Sequence, residues 1–173
     1  MMGMSAPEWS RFLHEEAGVP DEVDAINYEV VRRMLQAYRN ELPLLPGAVA
    51  AARRAAGTFP LALASSSNRE VFEKVLQLAG IAECFRAAVS SEEVERGKPA
   101  PDVYLEAARR LGVDPKRCAA VEDSHAGIRS AKTAGMRVVA IPNAAYPPDD
   151  DALELADAVV RSLDDLTVEV LRG

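Results

Sequence analysis

Cysteine is nearly absent from this chain: Cys84 and Cys118 are the two thiols in 173 residues. Two cysteines make neither a disulfide framework nor a zinc ligand set, and they read as reduced residues of a cytoplasmic protein. No apolar run approaches the roughly 20 residues that a membrane span needs. An excess of positive charge is missing too. Twenty Lys and Arg face 27 Asp and Glu, for a net charge of −7, which argues against nucleic acid and acidic membrane surfaces as partners. The N-terminus, MMGMSAPEWSRF, has neither a basic leader nor an apolar signal core. No internal repeat and no disordered linker interrupts the sequence.

What is present is a globular composition, 49% hydrophobic and 27% charged, in a chain long enough to bury a core. Helical periodicity fills residues 7–42. PEWSRFLHEEAG opens on Pro7 and stops at Gly18, the expected asymmetry of a helix. Ile26, Val30, Val31, Met34, Leu35 and Tyr38 then recur at spacings of three and four on one stripe. The chain enters this helical unit directly from a Gly turn, unlike the start of a domain. After residue 45 the pattern changes. PGAVAAARRAAG predicts a short helix, and LALAS (Leu61–Ser65) predicts a buried strand ending in small polar residues. Further strands are expected at Ala87–Ser90, Cys118–Glu122, Arg137–Ile141 and in DAVV. Helices are expected at Arg69–Ala79, Asp102–Leu111, Ala126–Ala134 and in SLDDLTVEVL. Short apolar strands alternating with helices predict an α/β fold, with a parallel sheet covered by helices on both faces.

In such sheets ligands bind beyond the carboxyl ends of the strands, and three polar groups fall there. Ser65, Ser66, Ser67 and Asn68 follow LALA. Their hydroxyls and N–H groups at a helix start would cradle an anion, or would simply cap the helix. GKPAPD holds Lys98 between Gly97 and Pro99. It is a compact charge suited to a phosphate oxygen or to keeping a carboxylate ionised, the alternative being a solvated lysine. Glu122 and Asp123 end the strand CAAVE-D as adjacent carboxylates suited to a hard divalent cation. The alternative is that Asp123 and Ser124 cap the next helix and Glu122 is solvated. Taken together, the lysine would balance an anion and two carboxylates gathered at one sheet edge.

LASSSN, GKPAPD and VEDSHAGIRSAKTAGM resemble, in this order, the second, third and fourth motifs of the haloacid dehalogenase-like hydrolases. Residues 1–45 are similar to part of the helical cap of the β-phosphoglucomutase and phosphoglycolate phosphatase branch, which leaves residues 46–173 as a Rossmann-like core. The resemblance implies a phosphatase that acts on a small phosphorylated metabolite through an aspartyl-phosphate, with Mg2+ as cofactor. It implies that Ser65, helped by the backbone at Ser66, hydrogen-bonds the phosphoryl group. Lys98 would bind that group and the nucleophilic carboxylate. Asp123 would help hold Mg2+, with Glu122 a direct or water-mediated partner, and Asn68 would touch substrate phosphate.

The family's first motif, a strand ending in Asp-x-Asp-Gly that carries the nucleophile, is not in this sequence, which begins inside the cap. The one Asp-x-Asp pattern, Asp149–Asp151, follows two prolines and reads as a solvated helix start. Asp21, Asp24 and His14–Glu16 read as solvated, and His125 as a polar loop residue. In the family the first strand lies between the strands that correspond here to Leu61–Ala64 and Cys118–Val121. Two unpaired edges are therefore expected; closing them on each other would bring the Ser65 and Glu122 ends from about 10 Å to about 5 Å apart. The chain is expected to be an N-terminally truncated piece without turnover of its own. Two other readings stand beside it. One is a sugar-phosphate mutase, against which Gly3, Met4, Ser5 and Ala6 stand where a mutase turn resembles Gly-x-Ser-Arg. The other is a non-catalytic phosphate-binding or interaction protein.

Overall fold

The computed structural model of the chain describes residues 4–173; Gly3, the first residue of the turn compared with that of a mutase, lies outside the described residues. The first helix, α1 (Ala6–Glu15), starts where Ser5 closes a capping box with Glu8. The Ser5 N–H and hydroxyl both donate to Glu8 Oε2 at 2.7 Å, which satisfies donors that a helix start leaves unpaired. This helix ends at Glu15, short of Gly18, whose φ of 72° turns the chain. The stripe predicted for the second segment is real: α2 (Val23–Asn40) buries Ile26 and Val31 and half-buries the rest of it against α1.

The remaining elements alternate. They are α3 (Ala48–Ala56), β1 (Leu61–Ser65), α4 (Arg69–Ala79), β2 (Phe85–Ser90) and α5 (Asp102–Leu111), then β3 (Ala119–Glu122), α6 (His125–Thr133), β4 (Arg137–Ala140), α7 (Asp150–Leu153), β5 (Ala158–Val159) and α8 (Val168–Arg172). Gly80 and Gly112 end α4 and α5 in left-handed conformations, φ 63° and 70°, which glycine adopts without steric cost. Several boundaries differ from the sequence reading, the last helix most, shrinking from SLDDLTVEVL to Val168–Arg172. β2 begins two residues early, directly after a 3₁₀ turn at Ala82–Cys84. β3 loses Cys118, whose N–H closes a turn onto the Pro115 carbonyl. α6 starts at His125 because the Ser124 hydroxyl accepts from Gly127 N at 3.1 Å.

Every strand pairing is parallel, as expected, but the sheet comes in two pieces: β1 pairs with β2, and β3 pairs with β4, which pairs with β5. Among the described residues β1 and β3 do not pair with each other. Helix α5 holds the pieces together. It packs on β1 and β2 and also touches α6, and the core joins Val103, Tyr104, Ala107 and Ala108 of α5 to Ile128, Ala131, Val138 and Ala140. Ala62 and Ala64 of β1 lie against this cluster. Each fully buried Val or Ile there contributes about 1.5–3 kcal/mol of burial free energy. No helix of the described residues is long and apolar enough to cross a membrane.

Candidate functional site

The carboxyl end of β1 carries the serine cluster. Ser65 Oγ accepts from Ser67 N at 3.1 Å, a short side-chain turn that feeds the chain into α4. Asn68 precedes that helix, yet its side chain does not cap it. Instead the buried amide donates to Glu92 Oε1 at 2.8 Å and to Asn27 Oδ1 at 3.2 Å. The simple capping alternative therefore fails at Asn68, which ties α2 to the core. Ser90 adds a second clamp, its hydroxyl donating to the Ser67 carbonyl at 2.8 Å.

Lys98 is not a solvated lysine. It is 8% exposed, follows Gly97 and precedes a cis Pro99. Its ammonium donates to the Ala64 carbonyl of β1 at 3.1 Å and pairs with the Glu122 carboxylate at the end of β3. It also lies 4.9 Å from the centre of the Tyr104 ring, within cation–π range. One side chain from the GKPAPD loop thus spans the two sheet pieces. Gly97 brings that loop against the start of α1, where a Cβ would stand 3.4 Å from Ser5 Cβ, an ordinary contact.

Glu122 is buried as well, at 7% exposure, so the solvated alternative fails for it too. Oε1 accepts from Lys98 and from the Tyr104 hydroxyl, and Oε2 from the Ser124 hydroxyl at 3.0 Å. A Cβ on Gly127 would fall inside this carboxylate, so glycine is what lets α6 start beneath it. Burial pushes the Glu122 carboxyl up, but the Lys98 charge and the bonds from Lys98, Tyr104 and Ser124 outweigh it and hold the pKa below the ordinary value. Asp123 goes the other way. Burial, then the neighbouring Glu122 charge, push it above the ordinary value, and it has no ion-pair partner among the described residues. A half-buried carboxylate short of a cation suits a hard divalent ion, which takes oxygen ligands and keeps water beside them.

The structure therefore brings together Lys98, Glu122, Asp123 and the strand end that carries Ser65, while Asn68 is engaged toward the helical unit. Tyr104 is the member that sequence reasoning missed. Its signal was a phenol on the apolar stripe of α5, where a buried hydroxyl must find a partner. Burial and the Glu122 charge raise its pKa well above the usual tyrosine value. Outside this site, Asp149 and Asp151 are exposed and begin α7, as expected. His125 is helical and not a loop residue. Its Nε2 accepts from Arg129 Nε at 2.8 Å, its Nδ1 lies 2.9 Å from Asp149, and Arg129 pairs with Asp151. His14, expected in solvent, is half-buried, with Nδ1 2.8 Å from the Asp21 carbonyl.

Residues 2–135 match the haloacid dehalogenase-like hydrolases. The chain belongs to this family. It is 37% identical over 171 residues to the bifunctional riboflavin kinase/FMN phosphatase of Arabidopsis thaliana, covering 98% of this chain and 44% of that protein. It is 38% identical over 147 residues to hexitol phosphatase B of Escherichia coli K12, covering 83% and 65%. The crystal structure of CbbY from Rhodobacter sphaeroides in complex with phosphate superposes with a TM-score of 0.84 at 27% identity, covering 98% of this chain and 78% of that one. A β-phosphoglucomutase also stands among the relatives, so this haloacid dehalogenase-like chain has the relatives of a phosphatase or phosphomutase. It spans less than two thirds of the length of the two phosphatases named here.

Proposed function

We propose that this haloacid dehalogenase-like chain is part of a cytoplasmic Mg2+-dependent phosphatase for a small phosphorylated metabolite. Residues 1–45 serve as part of the cap and residues 46–173 as the phosphoryl-binding core. The observation that carries the reading is the burial of Lys98, with its ammonium on the ends of both β1 and β3. A cation desolvated at that point stabilises charge on phosphoryl oxygens far more than a solvated one would. The Ser65 hydroxyl and the backbone at Ser66 donate to the same group, while Asn68, its amide given to Glu92 and Asn27, ties the helical unit beside it. Asp123 would hold Mg2+ with Glu122 behind it, and the ion would supply positive charge to the transferring phosphoryl group.

Glu122 is saturated by Lys98, Tyr104 and Ser124, and Asp123 is committed to the metal, so neither suits the nucleophile. The reading assigns that role, and the aspartyl-phosphate it forms, to an Asp-x-Asp segment outside this sequence. Ala6, which is 0% exposed, stands where a mutase turn carries arginine, and the absence of that side chain favours the phosphatase. The 173-residue chain with Mg2+ and an aryl phosphate should give no turnover, and a version extended upstream by the missing strand should turn over. Robust turnover by the short chain, abolished by Asp123→Asn, would contradict the assignment of the nucleophile.

A further inference from the structure

We propose that His125, Asp149 and Asp151 form a metal site of their own, which takes Zn2+ and not the Mg2+ of the phosphatase reading. The imidazole stands in the first turn of α6, Asp149 precedes α7 and Asp151 lies within it. Each residue offers one ligand atom, and these atoms all lie within 4.8 Å of one another. The closest pair is not an ordinary ion pair. His125 Nδ1 is shielded from solvent and 2.9 Å from Asp149 Oδ2, yet it has no hydrogen-bond partner among the described residues. A shared metal ion accounts for both facts. Zinc bonds of about 2.0–2.2 Å to an imidazole nitrogen and a carboxylate oxygen leave those two atoms roughly 3 Å apart, each aimed at the ion and not at the other. Asp151, 61% exposed, turns in to complete the set once Arg129 lets go of it.

Arg129 shows that the place attracts a cation. Its Nε donates to His125 Nε2 at 2.8 Å, and its guanidinium pairs with Asp151. One spread charge thus serves groups that a divalent ion would meet with two charges at a point. Binding releases Arg129 to solvent, and the imidazole proton passes from Nδ1 to the vacated Nε2 as Nδ1 takes the metal. The donor set selects the ion. An imidazole nitrogen with two carboxylates suits Zn2+, whereas Mg2+ takes oxygen ligands and keeps its waters. Three protein ligands leave the fourth position of a tetrahedral ion to water. The chain order gives the site a task. It ties the first turn of α6, which begins two residues after Asp123, to the end of the segment that joins β4 to α7. The site is independent of the phosphatase reading.

Calorimetric titration of the full 173-residue chain with Zn2+, in excess Mg2+, should show one bound ion per chain. His125→Ala and Asp149→Asn should each weaken it about tenfold or more, since losing even an outer partner of a metal ligand costs about 10–100-fold. The Asp149 side chain is 75% exposed, so that variant keeps the test standing if circular dichroism shows His125→Ala to disturb α6. Arg129→Met should bind more tightly, because the competing guanidinium is gone. Asp123→Asn should bind as the unaltered chain does. Co2+ in place of Zn2+ should give a visible absorption band that His125→Ala removes. Absence of Zn2+ binding, or undiminished binding by the His125→Ala/Asp149→Asn double variant, would overturn the proposal. So would weaker binding by Arg129→Met, loss of binding in Cys84→Ser/Cys118→Ser, or loss in Asp123→Asn, which would place the ion at the phosphoryl site.

Discussion

Two strands, one from each piece of the sheet, are built from similar residues and end up differently buried. Val138, Val139 and Ala140 of β4 are 0% exposed, whereas LALAS of β1, equally apolar until its last residue, is half-buried at every position. β4 has a strand on each side and β1 has one. A parallel strand is sequestered by its neighbours and by the helices laid over them, so its own hydrophobicity does not set its exposure. The polar site lies where this coverage fails: Lys98 and Glu122 are buried at the seam and satisfied by each other, by Tyr104 and by the Ala64 carbonyl.

The largest effect should come from breaking that bridge. Lys98→Met leaves Glu122 buried without its cation and should cost about 3–5 kcal/mol, read as a lowered urea midpoint. Adding Glu122→Gln should recover much of the loss, because a neutral amide is cheaper to bury than an unpaired charge. Next comes the contrast between β4 and β1. Ile128→Ala, in the buried cluster with Val138 and Ala140 of β4, should cost about 2–5 kcal/mol; Leu63→Ala in β1, already half in water, should cost about 1 kcal/mol. Equal losses would erase the distinction. Gly127→Ala should cost about 1–3 kcal/mol by pushing the Glu122 carboxylate off its donors.

The pH dependence separates the two adjacent acids by sign. The folded pKa of Glu122 is depressed, so its contribution is complete above the unfolded value of about 4.3 and is lost as pH falls through the lower folded value. The folded pKa of Asp123 is raised, so the protonated form favours folding. Stability from that residue falls as pH rises from about 3.9 through the raised value. Glu122→Gln should flatten the acid limb of the stability curve, and Asp123→Asn should remove the opposing slope. Smallest of all, Glu106→Ala on α5 should leave stability all but unchanged despite its pairs with Arg109 and Arg110.

Elements with local punctuation are legible in the amino-acid sequence. Leu61–Ser65, Arg69–Ala79 and Asp102–Leu111 lie where periodicity and the glycines at 80 and 112 place them. The unusual setting of Lys98 between Gly97 and Pro99 points to a special lysine, though not to its reach across a seam. Two site features are opaque for a physical reason. One partner of Asn68 is Asn27, 41 positions away, and only the packing of α2 beside the core reveals it. Tyr104 looks like core in the sequence, since a phenol on an apolar stripe shows its polar role only when Glu122 stands opposite.

Hydrogen exchange of the free 173-residue chain tests the open seam most directly. The Val121 amide should exchange within a factor of about ten of the fraying termini, and the Val139 amide should be protected close to the global stability. Equal, strong protection at both positions would mean that β1 and β3 have closed on each other, and would contradict the account.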